Sequence, residues 1–146
     1  MKFEWGNGAL GDMRSAPRSV RHLAVFVLLV GLHSLLIGVF IFFFTELFYR
    51  LFLAADIENF FFVRQAGLFL FCLGLFNLAI LKAINKFYYF VKVIIATKIF
   101  AFLFLATHAH LAAWPTVIML AAVGDGAMAV VLLYLYRRAD FSAVKN

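Results

Sequence analysis

The chain has 146 residues, of which 66% are hydrophobic and 14% are charged, and its mean hydropathy is +1.03. A soluble domain of this size buries too small a fraction of its surface to hide so many apolar side chains, twenty of which are Phe. The formal net charge of +6 belongs to no separate basic domain, which excludes a nucleic acid as partner.

Four apolar segments follow one another along the chain, and each approaches the roughly 20 residues that a helix needs to cross a bilayer. They predict an all-α membrane protein, a four-transmembrane-helix up-and-down bundle within residues 21–138, flanked by tails at 1–20 and 139–146. Short connections between the later spans make neighbouring helices antiparallel. The predicted spans are approximately residues 22–48, 61–82, 87–110 and 114–136.

The first span carries no formal charge between Leu23 and Thr45 and is longer than the apolar part of a cleavable signal, so we expect it to remain as an anchor. Two interpretations of the connection at 46–61 stay open: a short helix lying at the membrane interface, and a plain loop with aromatic anchors. Cys72 lies within the second span, where we expect it to be a small apolar core residue.

Lys and Arg collect in three segments that a four-span topology places on one side of the membrane. By the positive-inside rule, this distribution predicts that both termini are cytoplasmic, and the expected location is a bacterial inner (plasma) membrane. Membrane lipids are then the first expected partners, since a basic surface attracts anionic headgroups. The residues concerned are Lys2, Arg14, Arg18, Arg21, Lys82, Lys86, Lys92, Arg137, Arg138 and Lys145.

Lys98 and Asp125 are the midpoints of the third and fourth spans. These spans form a hairpin that turns near residue 111 or 112, and each of the two residues is about 13 residues from the turn, so antiparallel helices place them at one depth. An unpaired charge in the middle of a bilayer costs about 3 kcal/mol, and a partner at the same depth removes most of that cost. We therefore predict a buried Lys98–Asp125 ion pair. Small residues around Asp125 on the fourth span allow the third span to approach closely. They are Ala121, Ala122, Gly124, Gly126 and Ala129.

The same counting predicts a second ion pair, between Glu46 and Arg64, at the outer end of the first two spans. His33 and Asn77 lie deep in these spans and form a candidate intramembrane polar site. Gly31, Ser34 and Gly38 share one face of the first span, which predicts a helix contact there.

Metal and haem sites are weakly indicated. His108 and His110 are weak candidates for a metal, because side chains two residues apart on a helix point in different directions. Haem is disfavoured because the other histidines do not lie at the depth of His33. Nothing in the sequence identifies a cofactor, although a lipid or a quinone would suit a bundle of this kind.

The stretch "RQAGLFLFCLGLFNLAI" (64–80), a third span ending in "THAHL" and a fourth ending in "YLYRR" together resemble the DoxX-like group of small four-helix integral membrane proteins. The residues that carry the resemblance are Arg64, Gly67 and Gly74. The resemblance implies a four-helix bundle, and some relatives are associated with quinone-linked redox membrane complexes. Lys98 and Asp125 are not part of it.

We expect the chain to be a small accessory or structural subunit of a larger membrane complex, bound to other membrane subunits or to copies of itself. Aqueous loops this short hold no active-site domain, and no catalytic residue set is recognisable, so an enzyme is the less favoured interpretation. Two alternatives stay open: a small proton- or ion-coupled transporter that uses Lys98 and Asp125, and a quinone- or lipid-binding redox protein.

Overall fold

The structure is a computed structural model that describes residues 17–53, 59–81, 84, 88–111 and 116–141. Helices account for nearly all of this part of the chain, which contains no strand, and four of them are long and apolar enough to cross a membrane. The predicted all-α fold with four spans is thereby confirmed. The spans are α1 (Arg18–Phe43), α2 (Phe61–Leu81), α3 (Tyr88–Leu111) and α4 (Thr116–Arg138).

The first span begins and ends earlier than the sequence predicted. Arg18 already lies in α1, and the Arg21 N–H donates to the carbonyl of Pro17 at 3.0 Å, which closes the first turn. At the other end Phe44 leaves helical geometry with φ −116° and ψ 37°. The buried Thr45 hydroxyl donates to the Ile41 carbonyl at 2.6 Å and thereby satisfies an acceptor that the helix end would leave unpaired.

The connection after α1 is helical over its first half. A short helix, Thr45–Phe48, continues into a single π-helical turn, Tyr49–Leu53. A short helix is therefore present over residues 45–53, whereas residues 59–60 are not helical, and its location at the membrane interface stays a prediction. Some predicted features lie outside the described residues, namely most of the N-terminal tail (1–16), residues 54–58, Lys82, Lys86, Trp114, Pro115 and the last five residues, 142–146.

The four spans form two antiparallel hairpins that meet through α1 and α4. Helix α1 packs along α2, α3 packs along α4, and α1 also packs against α4. One end of the bundle, which we call the basic end, contains the starts of α1 and α3 and the ends of α2 and α4. Its described charges are mostly cationic: Arg18, Arg21, Lys92, Arg137 and Arg138, with Asp140 as the acid.

The hydrophobic core occupies the half of the bundle nearer the basic end. Its buried side chains come from all four spans and from Ile84, which follows α2. In the half toward the opposite end, the buried apolar side chains of the described residues are the small ones of Ala109 and Ala122. The two hairpins therefore pack against each other mainly through large apolar side chains near the basic end. The core consists of Val20, Leu23, Ala24, Val27, Val30, Ile80, Ile84, Val91, Ile94, Ile95 and Leu132.

Many of the large apolar side chains lie on the outer surface, as expected from the composition of a membrane protein. Phe62 is 72% exposed and Phe100 is 70% exposed, and many Leu, Val and Phe residues of all four spans behave alike. Cys72 is also exposed, so its prediction as a core residue is wrong. The core positions of α2 at this level are taken by the buried Gly67 and Gly74 instead.

Candidate functional site at the centre of the bundle

Lys98 and Asp125 form an ion pair between α3 and α4. The Lys98 Nζ donates to Asp125 Oδ1 at 2.6 Å, and the side chains are 9% and 15% exposed, respectively. The structure thus brings together the two partners that the hairpin geometry predicted. Because each charge compensates the other, neither is left alone among apolar neighbours.

Small residues around Asp125 let α3 approach, although not all of those predicted take part. Ala122 and Ala129 are buried one turn to either side of Asp125. A Cβ on Gly126 would lie 3.0 Å from the Phe102 ring, so this glycine allows the ring to pack closely. A Cβ on Gly124 would meet nothing within 4 Å, and Ala121 is exposed. The prediction that Gly124 and Ala121 belong to the contact is therefore wrong.

His33 of α1 lies within electrostatic range of both Lys98 and Asp125. The register between α1 and α4 accounts for this, because the Asp140 N–H donates to Ser19 Oγ at 3.3 Å near the basic end. His33 and Asp125 lie nearly the same number of residues from this contact along antiparallel helices, which brings them to one level. At this level the chain therefore carries a buried ion pair between α3 and α4 and an exposed imidazole on α1.

Sequence reasoning missed the approach of His33 to the ion pair. Counting residues from a turn relates only spans that follow one another, and α1 and α4 are separated by two other spans. A signal was nevertheless present in the flanking charges. His33 is as far beyond Arg21 as Asp125 is before Arg137, and basic residues of this kind mark the membrane edge at both helices.

The candidate polar site of His33 with Asn77 is not formed. Asn77 is 5% exposed and faces α1 at Gly31, where a glycine Cβ would lie 3.2 Å from the Asn77 Cβ. Residues 31 and 33 are about 200° apart around a helix, so His33 points away from this interface. Its side chain is exposed on the surface of the chain. The prediction that these two residues share a site is wrong.

At the end opposite the basic end, Glu46 pairs with a residue other than the predicted Arg64. Within the described residues, the Glu46 carboxylate accepts from Arg50 at 2.6 Å, one turn along the same chain segment, rather than from Arg64. The Arg64 guanidinium lies 5.9 Å from the centre of the Phe60 ring, although it lines one shallow surface cavity together with Glu46. The helical turn after Phe44, which places Glu46 and Arg50 on one face, explains the exchange.

The two histidines near the end of α3 do not converge. His108 Nδ1 lies 2.8 Å from the Phe104 carbonyl, and its ring lies 4.2 Å from the Phe104 ring. The intervening Ala109 is buried, whereas His108 and His110 are exposed on either side of it. Across the described residues, no group of three His, Cys, Asp or Glu side chains is arranged to hold a metal ion.

The arrangement at the centre can serve two chemical purposes. A closed ion pair fixes the register of α3 against α4, because any sliding of one helix would separate the charges. It also places an ammonium and a carboxylate in contact, with an imidazole at the same depth, and these are the side-chain types of intramembrane proton relays. One Lys98 donor is used by Asp125, and an ammonium has three.

The fold and the site together describe an all-helical, multi-pass membrane protein with a charged centre. No family model matches the chain, and no curated protein and no solved structure matches it either. The resemblance to the DoxX-like group therefore stays a prediction.

Proposed function

We propose that the chain is a small integral-membrane accessory subunit of a larger membrane complex, in which the Lys98–Asp125 pair maintains its internal register. The observation that carries the proposal is the position of His33, an exposed imidazole midway along α1 whose exposed neighbours on the helix, Leu29, Leu32 and Leu36, are apolar. A hydrogen-bonding group at the hydrocarbon level is costly unless it finds a polar partner. A neighbouring transmembrane subunit would supply that partner.

The surface of the chain supports the same proposal. Fewer than a third of the residues in the most apolar stretch of each span are buried within the bundle. Lipid can solvate this surface, so exposure alone does not require a partner, but it leaves ample helix surface for one.

We further propose that the basic end faces the cytoplasm, in a bacterial inner membrane. The described cationic residues of that end support this orientation under the positive-inside rule. Reaction of single cysteines with an impermeant thiol reagent tests it, in a chain whose Cys72 is replaced by Ala. A cysteine at Arg138 should stay unlabelled in intact cells, and one at Gln65, near the opposite end, should be labelled. The reverse pattern would invert the orientation.

Association through the His33 surface is tested by extracting the chain in mild detergent and measuring the mass of the particle and its co-purifying subunits. We expect an assembly larger than the chain, which His33→Leu dissociates while the chain keeps its thermal stability. Phe100→Leu serves as matched control, because Phe100 is exposed on a different span. A monodisperse particle with the mass of a single chain, unchanged by His33→Leu and without co-purifying subunits, would refute the accessory role.

The triad of His33, Lys98 and Asp125 favours a second candidate, a small proton-coupled transporter. Three titratable groups at one level provide the kind of relay that intramembrane carriers use. In sealed liposomes with an imposed pH gradient, the double variant of Lys98→Met with Asp125→Leu, which leaves no lone buried charge, should abolish proton flux while leaving the assembly intact. Flux that persists in that variant, or no flux in the native chain, excludes this candidate.

A further inference from the structure

A groove at the basic end lies between α1 and α4, away from the central ion pair. It is lined by Ser19 and His22 of α1 and by Tyr134, Leu135 and Arg138 of α4, and its volume is about 460 Å³. The described residues of its lining include no acid, and each polar side chain among them can donate a hydrogen bond: the Ser19 and Tyr134 hydroxyls, the His22 imidazole and the Arg138 guanidinium. We propose that this groove binds one anionic phospholipid, with the lipid phosphate held by Arg138, His22 and Ser19.

The Arg138 guanidinium is held in place for this role. Its central carbon lies 4.5 Å from the centre of the Tyr134 ring, which is a cation–π contact. A guanidinium has five N–H donors arranged to bind phosphate oxygens in pairs, so a contact with one ring leaves donors for a ligand. A cation positioned before binding loses less conformational entropy when the ligand arrives.

The Ser19 hydroxyl lines the same groove and can also donate to the lipid phosphate. Its oxygen accepts the Asp140 N–H at 3.3 Å, which leaves the hydroxyl proton for an acceptor in the groove. The His22 side chain, exposed on the next turn of α1, adds a third donor. Asp140 is the nearby acid, and the described Lys and Arg residues of the basic end outnumber it.

The surface below the groove suits an acyl chain, which distinguishes a lipid from a free anion. Val25 and Leu29 are exposed on the face of α1 that carries His22, at spacings of three and seven residues. Val130 and Val131 are exposed on α4 directly below Tyr134. A headgroup at the end of the bundle and apolar side chains deeper along both helices reproduce the amphipathic shape of a phospholipid.

The test is native mass spectrometry of the full chain in a nonionic detergent, titrated with phosphatidylglycerol and with phosphatidylcholine of the same acyl chains. We expect the first phosphatidylglycerol to bind at least about tenfold more tightly, and Arg138→Gln to remove that preference. The matched control is Arg137→Gln, which deletes the same charge from the neighbouring residue outside the groove and should change affinity less than about twofold.

Three outcomes would overturn the proposal. Equal losses in the Arg137 and Arg138 variants would show a diffuse attraction to the basic end without a site. Competition by inorganic phosphate at lipid-like concentrations would show an anion site that ignores the acyl chains. Should Arg138→Gln fail to fold, Arg138→Lys keeps the charge but not the paired donors, and full lipid affinity in that variant would equally refute the site. The proposal requires only a chain in a membrane, so the accessory role can fail without affecting it.

Discussion

The hairpin of α1 with α2 and the hairpin of α3 with α4 are held together by different interactions. In the first, glycines bring the two backbones together: a Cβ on Gly38 would run into the backbone of Phe71, and one on Gly74 would lie 2.6 Å from the Leu35 nitrogen. In the second, an ion pair bridges the helices at mid-length, and the nearest glycine contact, at Gly126, involves a flexible ring rather than backbone.

The two hairpins should therefore tolerate different substitutions. Backbone-to-backbone packing gains dispersion contacts over a long interface without a polar group, and it fails wherever a side chain is added. An ion pair tolerates changes of size nearby, because the charges themselves specify the register. It fails when one charge is removed, since the other is then buried alone. The predictions below test this contrast between sterics and charge.

The largest effect is expected from Asp125→Leu, which leaves Lys98 buried and unpaired. Loss of one member of a buried pair lowers the free energy of unfolding by about 3 to 5 kcal/mol. Titration of the chain with a denaturing detergent in bicelles measures this change. The double variant with Lys98→Met should recover most of the loss, because no lone charge remains. Additive losses in the double variant would mean that the two groups do not depend on each other.

Gly38→Ala is expected to lower the free energy of unfolding by about 1 to 3 kcal/mol, because its methyl group meets the backbone of α2. Gly124→Ala is the matched control, a helical glycine of α4 with open space where a Cβ would stand. Alanine favours helix, so this variant should be neutral or more stable by up to about 1 kcal/mol. The same titration measures both, and a destabilised Gly124 variant would show that the two helices are not distinguished by steric contact.

The sequence predicted the two hairpins more accurately than the contact between them. The number and character of the spans follow from hydropathy, and Lys98 with Asp125 follows from counting away from one short turn. The glycine face of Gly31, Ser34 and Gly38 was also predicted correctly, because small residues on one stripe indicate a close helix neighbour.

Features that depend on helices distant in sequence, or on local distortion, were not predicted. His33 lies at the level of the ion pair because of how α1 packs on α4, and no turn length fixes that register. The break at Phe44 was invisible because the residues around it are as apolar as the span itself. In the helical segment that follows the break, Glu46 lies one turn from Arg50 and pairs with it rather than with Arg64.

The smallest effect separates these two partners of Glu46. Double-mutant cycles in the same titration should give a coupling of about 0.3 to 0.5 kcal/mol between Glu46→Gln and Arg50→Gln, since both side chains are largely exposed. The cycle with Arg64→Gln should give less, because Arg64 lies over the Phe60 ring instead. A larger coupling to Arg64 would restore the bridge between α1 and α2 that the sequence suggested, and the first hairpin would then be held by charge as well as by glycine contacts.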